Sequence, residues 1–327
     1  MKNIRRFCVA PMMGYTTPHA RKLYRILSKK AYLFTEMIPT KTMIYSEKRE
    51  SIISNEKNEK LVALQVGGSE IEDLKKCSKL AKFYNYNEIN LNVGCPSKAV
   101  QKGSFGACLM KDKTLVKNCL ESMQDSTSIE VTLKCRIGIG KDFNYDFFYD
   151  FIDEVSKSGI TTIYVHARNA ILEKLSPKNN RTIPPLNYSF VDKIKKEFEN
   201  IEFILNGGID NLEKAYQLSK KYDGIMVGRL VQNNPFCLSK IDNLFFEDKK
   251  SEYFYQNIIT EYFDYVKNQL ANESIFRLLS PLLNIFFGVP NSKKFRQEIN
   301  LFMKKNKIDE LEKLFLKFIS DKKIYLN

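Results

Sequence analysis

Short apolar runs alternate with amphipathic stretches through most of the chain. The runs are FCVAPMMG (7–14), YLFTEMI (32–38), LVALQVGG (61–68), INLNVG (89–94), VTLKCRIG (131–138), TIYVHAR (162–168), FILNGGI (203–209) and GIMVGR (224–229). Most are rich in β-branched residues and stop at Gly, Pro or a charge, as strands buried on both faces do. Between them apolar positions fall at helical spacing. Ile71, Leu74, Cys77, Leu80 and Ala81 share one face, and 113–123 and 211–222 behave alike. Eight strand–helix alternations predict an α/β fold, a (β/α)8 TIM barrel over 1–239. A doubly wound sheet is the alternative, but no GxGxxG follows the first run.

From about residue 240 the strand-like runs cease. Phe254, Ile258, Tyr262, Val266 and Leu270 recur at helical spacing, as do Ile308, Leu311, Leu314, Phe315 and Phe318. This predicts an all-helical domain over 240–327, with the apolar stripes as its core.

Composition narrows the setting. At 43% hydrophobic residues the chain can build a real core, and no run nears the roughly 18 apolar residues of a membrane span. The start, MKNIRRFCVAPMMG, does not read as a secretory signal, so a cytoplasmic protein is expected. Seven scattered cysteines with no CxxC, and only His19 and His166, argue for reduced thiols and against a metal site. The net charge of +14 suggests an anionic partner, nucleic acid first. A Lys- and Asn-rich composition weakens that argument, but placement helps. Residues 291–307, NSKKFRQEINLFMKKNK, hold 6 basic side chains and 1 acidic one. That segment is either a solvated helix face or a contact to phosphates.

The strand ends carry the chemistry. In such barrels the site forms where strands end. Here the ends offer Pro11-Met12-Met13, Glu36, Gln65, Asn92 with Cys95, Lys134 with Arg136, His166 with Arg168, Asn206-Gly207-Gly208, and Gly228-Arg229. Together they describe a polar cup that needs a ligand to satisfy it. Glycines after the seventh and eighth runs suit a phosphate, with Arg229 adding charge. Phosphate binding alone names no cofactor, since barrels bind phosphorylated sugars in the same way; a flavin mononucleotide also suits the cup, with Gln65 at the ring edge and Lys134 near its pyrimidine end. Cys95 has three readings at this point: a buried thiol, a metal ligand, or a reacting group. The second fails for want of neighbouring ligands.

The chain resembles the tRNA-dihydrouridine synthases, above all their A subfamily. VAPMMGYT (9–16), FTEM (34–37), ALQVGG (63–68), EINLNVGCPS (88–97), VQKGSFGACLM (100–110), KCRIGI (134–139), VHAR (165–168), LSPKNNRTIPPL (175–186), NGGI (206–209) and GIMVGR (224–229) carry the likeness in order, and the helical tail matches more loosely. The resemblance implies an FMN enzyme that uses NADPH to reduce uridine to 5,6-dihydrouridine in tRNA, at D-loop positions 20 and 20a. It places FMN on Pro11, Met12, Met13, Gln65, Lys134, His166, Asn206, Gly207, Gly208, Gly228 and Arg229. It makes Cys95 the proton donor and sets Asn92 at the substrate uridine. The family's tRNA contacts fall near Lys178 and Arg181, and in the tail near Lys293, Lys294 and Arg296. Arg136 and Arg168 join them as cations of the cup.

The chemistry agrees. Reducing the uracil C5=C6 bond takes a hydride at C6 and a proton at C5. A thiol of ordinary pKa, about 8.5, keeps its proton near neutral pH and can give it. No stable nicotinamide fold is visible, so NADPH is expected to visit the flavin and leave. A monomer is expected. The rivals are a dihydroorotate-dehydrogenase-like flavoprotein acting on a free pyrimidine, which has no need of the basic tail, and an RNA-binding barrel without catalysis.

Overall fold

Each of the eight apolar runs forms a strand in the computed structural model, which describes residues 4–53, 59–173, 175–248, 255–283, 285–286 and 289–321, so that Phe254 of the expected helical stripe lies outside the described residues. The strands are β1 (Phe7–Val9), β2 (Leu33–Pro39), β3 (Val62–Gly67), β4 (Glu88–Val93), β5 (Glu130–Arg136), β6 (Thr162–His166), β7 (Glu202–Asn206) and β8 (Gly224–Val227). All pair in parallel in the order β1-β8-β7-β6-β5-β4-β3-β2. The two ends of that order meet. Val9 N donates to Tyr32 O at 2.8 Å and Tyr32 N to Phe7 O at 2.9 Å, which closes the barrel ahead of β2. Helices such as Ile71–Phe83, Lys113–Asp125, Tyr145–Ser156 and Tyr188–Glu197 follow their strands, as the TIM-barrel pattern requires.

The barrel interior has two halves. One is apolar: Cys8, Ala10, Tyr32, Phe34, Ala63, Tyr164, Ile204 and Met226 pack as one cluster, with Phe34 edge-on to Tyr164. The other is a column of polar groups. On β4 the alternation puts Ile89, Leu91 and Val93 on one face and Glu88, Asn90 and Asn92 on the other, yet both faces are buried. Glu88 ends the column. Arg5 donates to it from Nε at 3.1 Å and Nη2 at 2.9 Å, and Tyr164 Oη donates at 3.1 Å. Arg5 also pairs with Glu130. Burial raises the Glu88 carboxyl, and Arg5 and Thr132 oppose that.

Compactness groups the chain into two units. One takes in the residues up to 13 together with Tyr32–Gly228, and the other Gly14–Ala31 with everything from Arg229. The second unit therefore includes the helix Pro18–Leu27 beside Tyr255–Gln269, Ile275–Leu279, Ser292–Lys304 and Ile308–Asp321. Its core is aromatic. Phe295 stacks on Phe318 and meets Phe315 edge-on, and Phe315 meets Phe263. Asp242 fastens the Pro18–Leu27 helix end by accepting from Ser28 Oγ and from the backbone N–H of Lys29 and Lys30.

Candidate active site

Asn92, near the end of β4, shapes the turn that carries Cys95. Its Oδ1 accepts from Gly94 N at 3.1 Å and Cys95 N at 3.0 Å. This is a side-chain-bracketed turn of the kind Asn forms readily. Its Nδ2 donates to Gln65 Oε1 at 2.8 Å. Gln65 Nε2 then donates to Asn90 Oδ1 at 2.8 Å, Asn90 Nδ2 to Thr132 Oγ1 at 2.7 Å, and Thr132 to Glu88. Five side chains on β3, β4 and β5 thus form one relay from the Cys95 turn to the buried Glu88. Backbone N–H groups can only donate, so the relay's direction, and with it the orientation of each amide, is fixed.

Cys95 is half-buried and is a free thiol. Its carbonyl accepts from Ala107 N at 2.9 Å. Gly106 makes that contact possible with φ +77°; a Cβ there would lie 2.6 Å from Cys95 O. Cys108 follows on the same loop and donates to Phe105 O.

Lys134 and Arg136 point to one side of β5, as their spacing predicts. Lys134 Nζ donates to Asn206 Oδ1 at 3.1 Å, and Asn206 Nδ2 to Met226 O at 2.8 Å. Burial, with Arg136 alongside, pushes Lys134 down to about 8, and Cys95 works the other way. Arg136 is buried and held below its ordinary value, first by burial and then by Arg168 and Arg181, while Cys95 again opposes. One set of electrostatic neighbours thus joins Cys95, Lys134, Arg136, Arg168 and Arg181. Arg168 is buried, with Nη1 donating to Thr182 O and Pro184 O. It thereby holds the chain at 182–184, just after Lys178 and Arg181, both of which are exposed.

The Asn206-Gly207-Gly208 turn follows β7. Gly207 has φ +109° and Gly208 φ +67°. A Cβ on Gly207 would sit 2.5 Å from His166 Cδ2, so only glycine lets this backbone pass the imidazole. Tyr188 Oη donates to Gly207 O and Lys214 Nζ to Gly208 O, each at 2.6 Å. At the end of β8 a Cβ on Gly228 would lie 3.3 Å from Met12 Sδ. Met12 is buried, Pro11 half-buried and Met13 64% exposed on the β1 loop. This cradle of bare backbone, with N–H groups still available on Gln65 Nε2 and Asn92 Nδ2, fits a flat ring rich in acceptors with a phosphate at one end.

Among the strand-end residues of the barrel, Gln65 is thus joined to Asn92 and Lys134 to Asn206, while Gly207 lies against His166 and Gly228 against Met12. Arg229 starts the helix Arg229–Asn233 in the other unit and is exposed. So do Lys293, Lys294 and Arg296 belong to that unit, on Ser292–Lys304. Phe295, buried between them in sequence, anchors this helix while Lys293 and Lys294 face solvent and Arg296 is half-buried. Two features were not read from the sequence. One is the bonding of Asn92, whose oxygen serves its own turn. The other is Gln101, whose partners are backbone carbonyls.

Comparison with known proteins bears on the whole arrangement. The family model described as Dihydrouridine synthase (Dus) matches residues 8–320. Proteins named tRNA-dihydrouridine(20/20a) synthase are similar to this chain: that of Vibrio vulnificus (strain CMCP6) is 39% identical over 297 residues, 90% of each chain. That of Escherichia coli (strain K12) is 39% identical over 297 residues, 90% of this chain and 86% of that one. Among solved structures, an old yellow enzyme homologue from Zymomonas mobilis aligns with TM-score 0.50 at 11% identity, over 75% of this chain and 89% of that one. A complex of 2-naphthoyl-CoA reductase aligns with TM-score 0.55 at 8% identity, over 72% and 49%. At such identities the likeness is one of fold. The family match runs through both barrel and helical tail, and the chain belongs to the dihydrouridine synthase family.

Proposed function

We propose that this protein reduces the C5=C6 bond of uridine in tRNA, at D-loop positions 20 and 20a, with FMN bound in the cup and NADPH as the visiting reductant. The observation that carries this reading is the Cys95 turn: a half-exposed thiol on a fixed backbone, among the cations of a cup whose glycine cradle suits a flavin phosphate. Pro11, Met12, Met13, Gln65, Lys134, His166, Asn206, Gly207, Gly208, Gly228 and Arg229 would hold FMN. Bound FMN supplies the hydride that C6 of the uracil receives.

The chain's own residues do the rest. Cys95 Sγ gives its proton to C5 on the opposite carbon of the bond, and the thiolate regains a proton from solvent. Asn92 Nδ2 keeps one hydrogen for a uracil carbonyl after its bond to Gln65. Lys134 and Arg136 place positive charge where the ring gathers electrons. The target base has to leave its stack to enter the cup. Lys178 and Arg181 on the barrel, and Lys293, Lys294 and Arg296 on the tail, supply the cations that hold the surrounding phosphates.

The test is Cys95→Ala. General acid catalysis typically contributes about 10²–10⁴-fold. The variant is expected to keep its flavin absorbance and to lose turnover by that order, with dihydrouridine read at each tRNA position by mass spectrometry. Wild-type turnover would remove Cys95 from the mechanism. Activity on free uridine with none on tRNA would favour the free-pyrimidine enzyme.

A further inference from the structure

Gln101 lies on the short helix Lys98–Lys102 just after the Cys95 turn. Its Nε2 donates to Pro96 O at 2.9 Å and to Leu172 O at 3.0 Å, so both amide hydrogens are used. Arg136 makes a parallel link. Its Nε donates to Gly94 O at 3.0 Å, and its Nη1 to Asn169 O at 2.9 Å and Asn180 O at 3.0 Å. The carbonyls on either side of Cys95 are therefore each tied, by one side chain, to the segment that follows β6. Asn180 folds that segment on itself: its Nδ2 donates to Ile171 O at 2.9 Å and its Oδ1 accepts from Ile171 N at 2.8 Å. The same segment carries Lys178 and Arg181.

We propose that Gln101 is a positioning residue for the proton donor: it fastens the Cys95 turn to the chain after β6 at Leu172, so that the thiol is in place only when that chain is. The proposal rests on the Cys95 reading above. A general acid works only within hydrogen-bond reach of the atom it protonates, and a misplacement of about 1 Å can cost about 10²-fold in rate. Asn92 fixes the turn from the barrel side and Ala107 N from the loop side. Gln101 and Arg136 are the groups that join it to the face where RNA phosphates would arrive. Arg136 also feels Lys134 and the other cations of the cup, so Gln101 is the cleaner probe.

The experiment compares wild type, Gln101→Met, Cys95→Ala and the double variant, all as flavin-loaded protein. Met keeps the length and the apolar stem of Gln and loses both donors. Dithionite-reduced enzyme is mixed with tRNA without oxygen and flavin reoxidation is followed for one turnover. Gln101→Met is expected to be about 10²-fold slower with an unchanged flavin spectrum. In the Cys95→Ala background it is expected to add no further loss, since the acid it positions is gone. Independently of turnover, iodoacetamide labelling of Cys95, read by peptide mass spectrometry, is expected to speed up as the turn opens. Gln101→Asn, one methylene shorter, keeps a donor within reach of one carbonyl and falls between the two; it serves if Gln101→Met does not fold. Wild-type labelling and turnover in the Gln101 variants, or equal slowing with and without Cys95, overturns the proposal. Wild-type turnover from Cys95→Ala alone defeats the acid reading instead, and the labelling rate then decides the tether by itself.

Discussion

Lys134 exposes a conflict between stability and catalysis that can be measured. Its ammonium is only partly exposed, and burial, helped by Arg136, lowers its pKa from 10.5 to about 8. At 1.36 kcal/mol per unit, that difference corresponds to about 3 kcal/mol against the folded state. The sign follows from linkage. A lysine whose folded pKa lies below its unfolded one costs stability in full below pH 8, and the cost fades as pH rises toward 10.5. Lys134→Met removes the charge and also the bond to Asn206 Oδ1, which contributes about 1 kcal/mol. The variant is therefore expected to be more stable than wild type by about 2 kcal/mol at pH 7 and less stable by about 1 kcal/mol near pH 10.5. Urea unfolding of both flavin-free proteins across that range gives the difference directly, because every other titrating group cancels between them. Turnover should fall in the same variant, since the cup loses one of its cations. A stability difference that stays flat from pH 7 to 10.5 would refute the argument.

Three further outcomes follow from the geometry. Gly207→Ala places a methyl 2.5 Å from His166 Cδ2 at φ +109°, so the purified protein should come out colourless, with FMN affinity down by at least about tenfold by fluorescence titration. Arg5→Met leaves the fully buried Glu88 without its cation and should cost about 3–5 kcal/mol at pH 8. Because the folded Glu88 pKa is already raised by burial, that loss should shrink as pH falls toward the unfolded carboxyl value, which unfolding at pH 5 against pH 8 tests. Reversing Lys293, Lys294 and Arg296 to Glu should weaken tRNA binding and flatten its salt dependence while the flavin spectrum stays unchanged; an unaltered salt slope in a filter-binding assay would take the tail out of the interface.

The eight strands were legible because parallel strands covered on both faces read as short apolar runs, and the strand-end residues stood out because every run carries a polar residue or glycine at or near its end. The alternation Glu88, Asn90, Asn92 was equally visible. It says that three side chains share a face, and nothing about whether that face is solvent or the barrel's interior. Only closure of the sheet turns the face inward, and only then does each polar group need a partner. Gln101 was hidden for a different reason: both its acceptors are backbone carbonyls, one of them 71 residues away, and a carbonyl has no sequence signature. The grouping of 14–31 with the tail was hidden too. The helix Pro18–Leu27 has the amphipathic pattern expected of any barrel helix, and its pattern does not say which apolar surface it meets.

The relay explains how a polar floor can exist in a barrel core and what it can bind. At the Cys95 end, two backbone N–H groups fill Asn92 Oδ1, so its amide nitrogen must point to Gln65. Each later amide then has one allowed orientation, down to a carboxylate at Glu88 that accepts from Thr132, Tyr164 and Arg5. Turning any one amide over sets two donors, two acceptors or both against each other, so the column keeps a single direction. One hydrogen is left over on Gln65 Nε2, one on Asn92 Nδ2, and two on the Lys134 ammonium beyond its bond to Asn206. The floor therefore offers donors set in advance and needs no reorganisation when a ligand arrives. Flavin presents ring carbonyls and bare ring nitrogens and uracil presents two ring carbonyls, so a floor of donors meets acceptors on both.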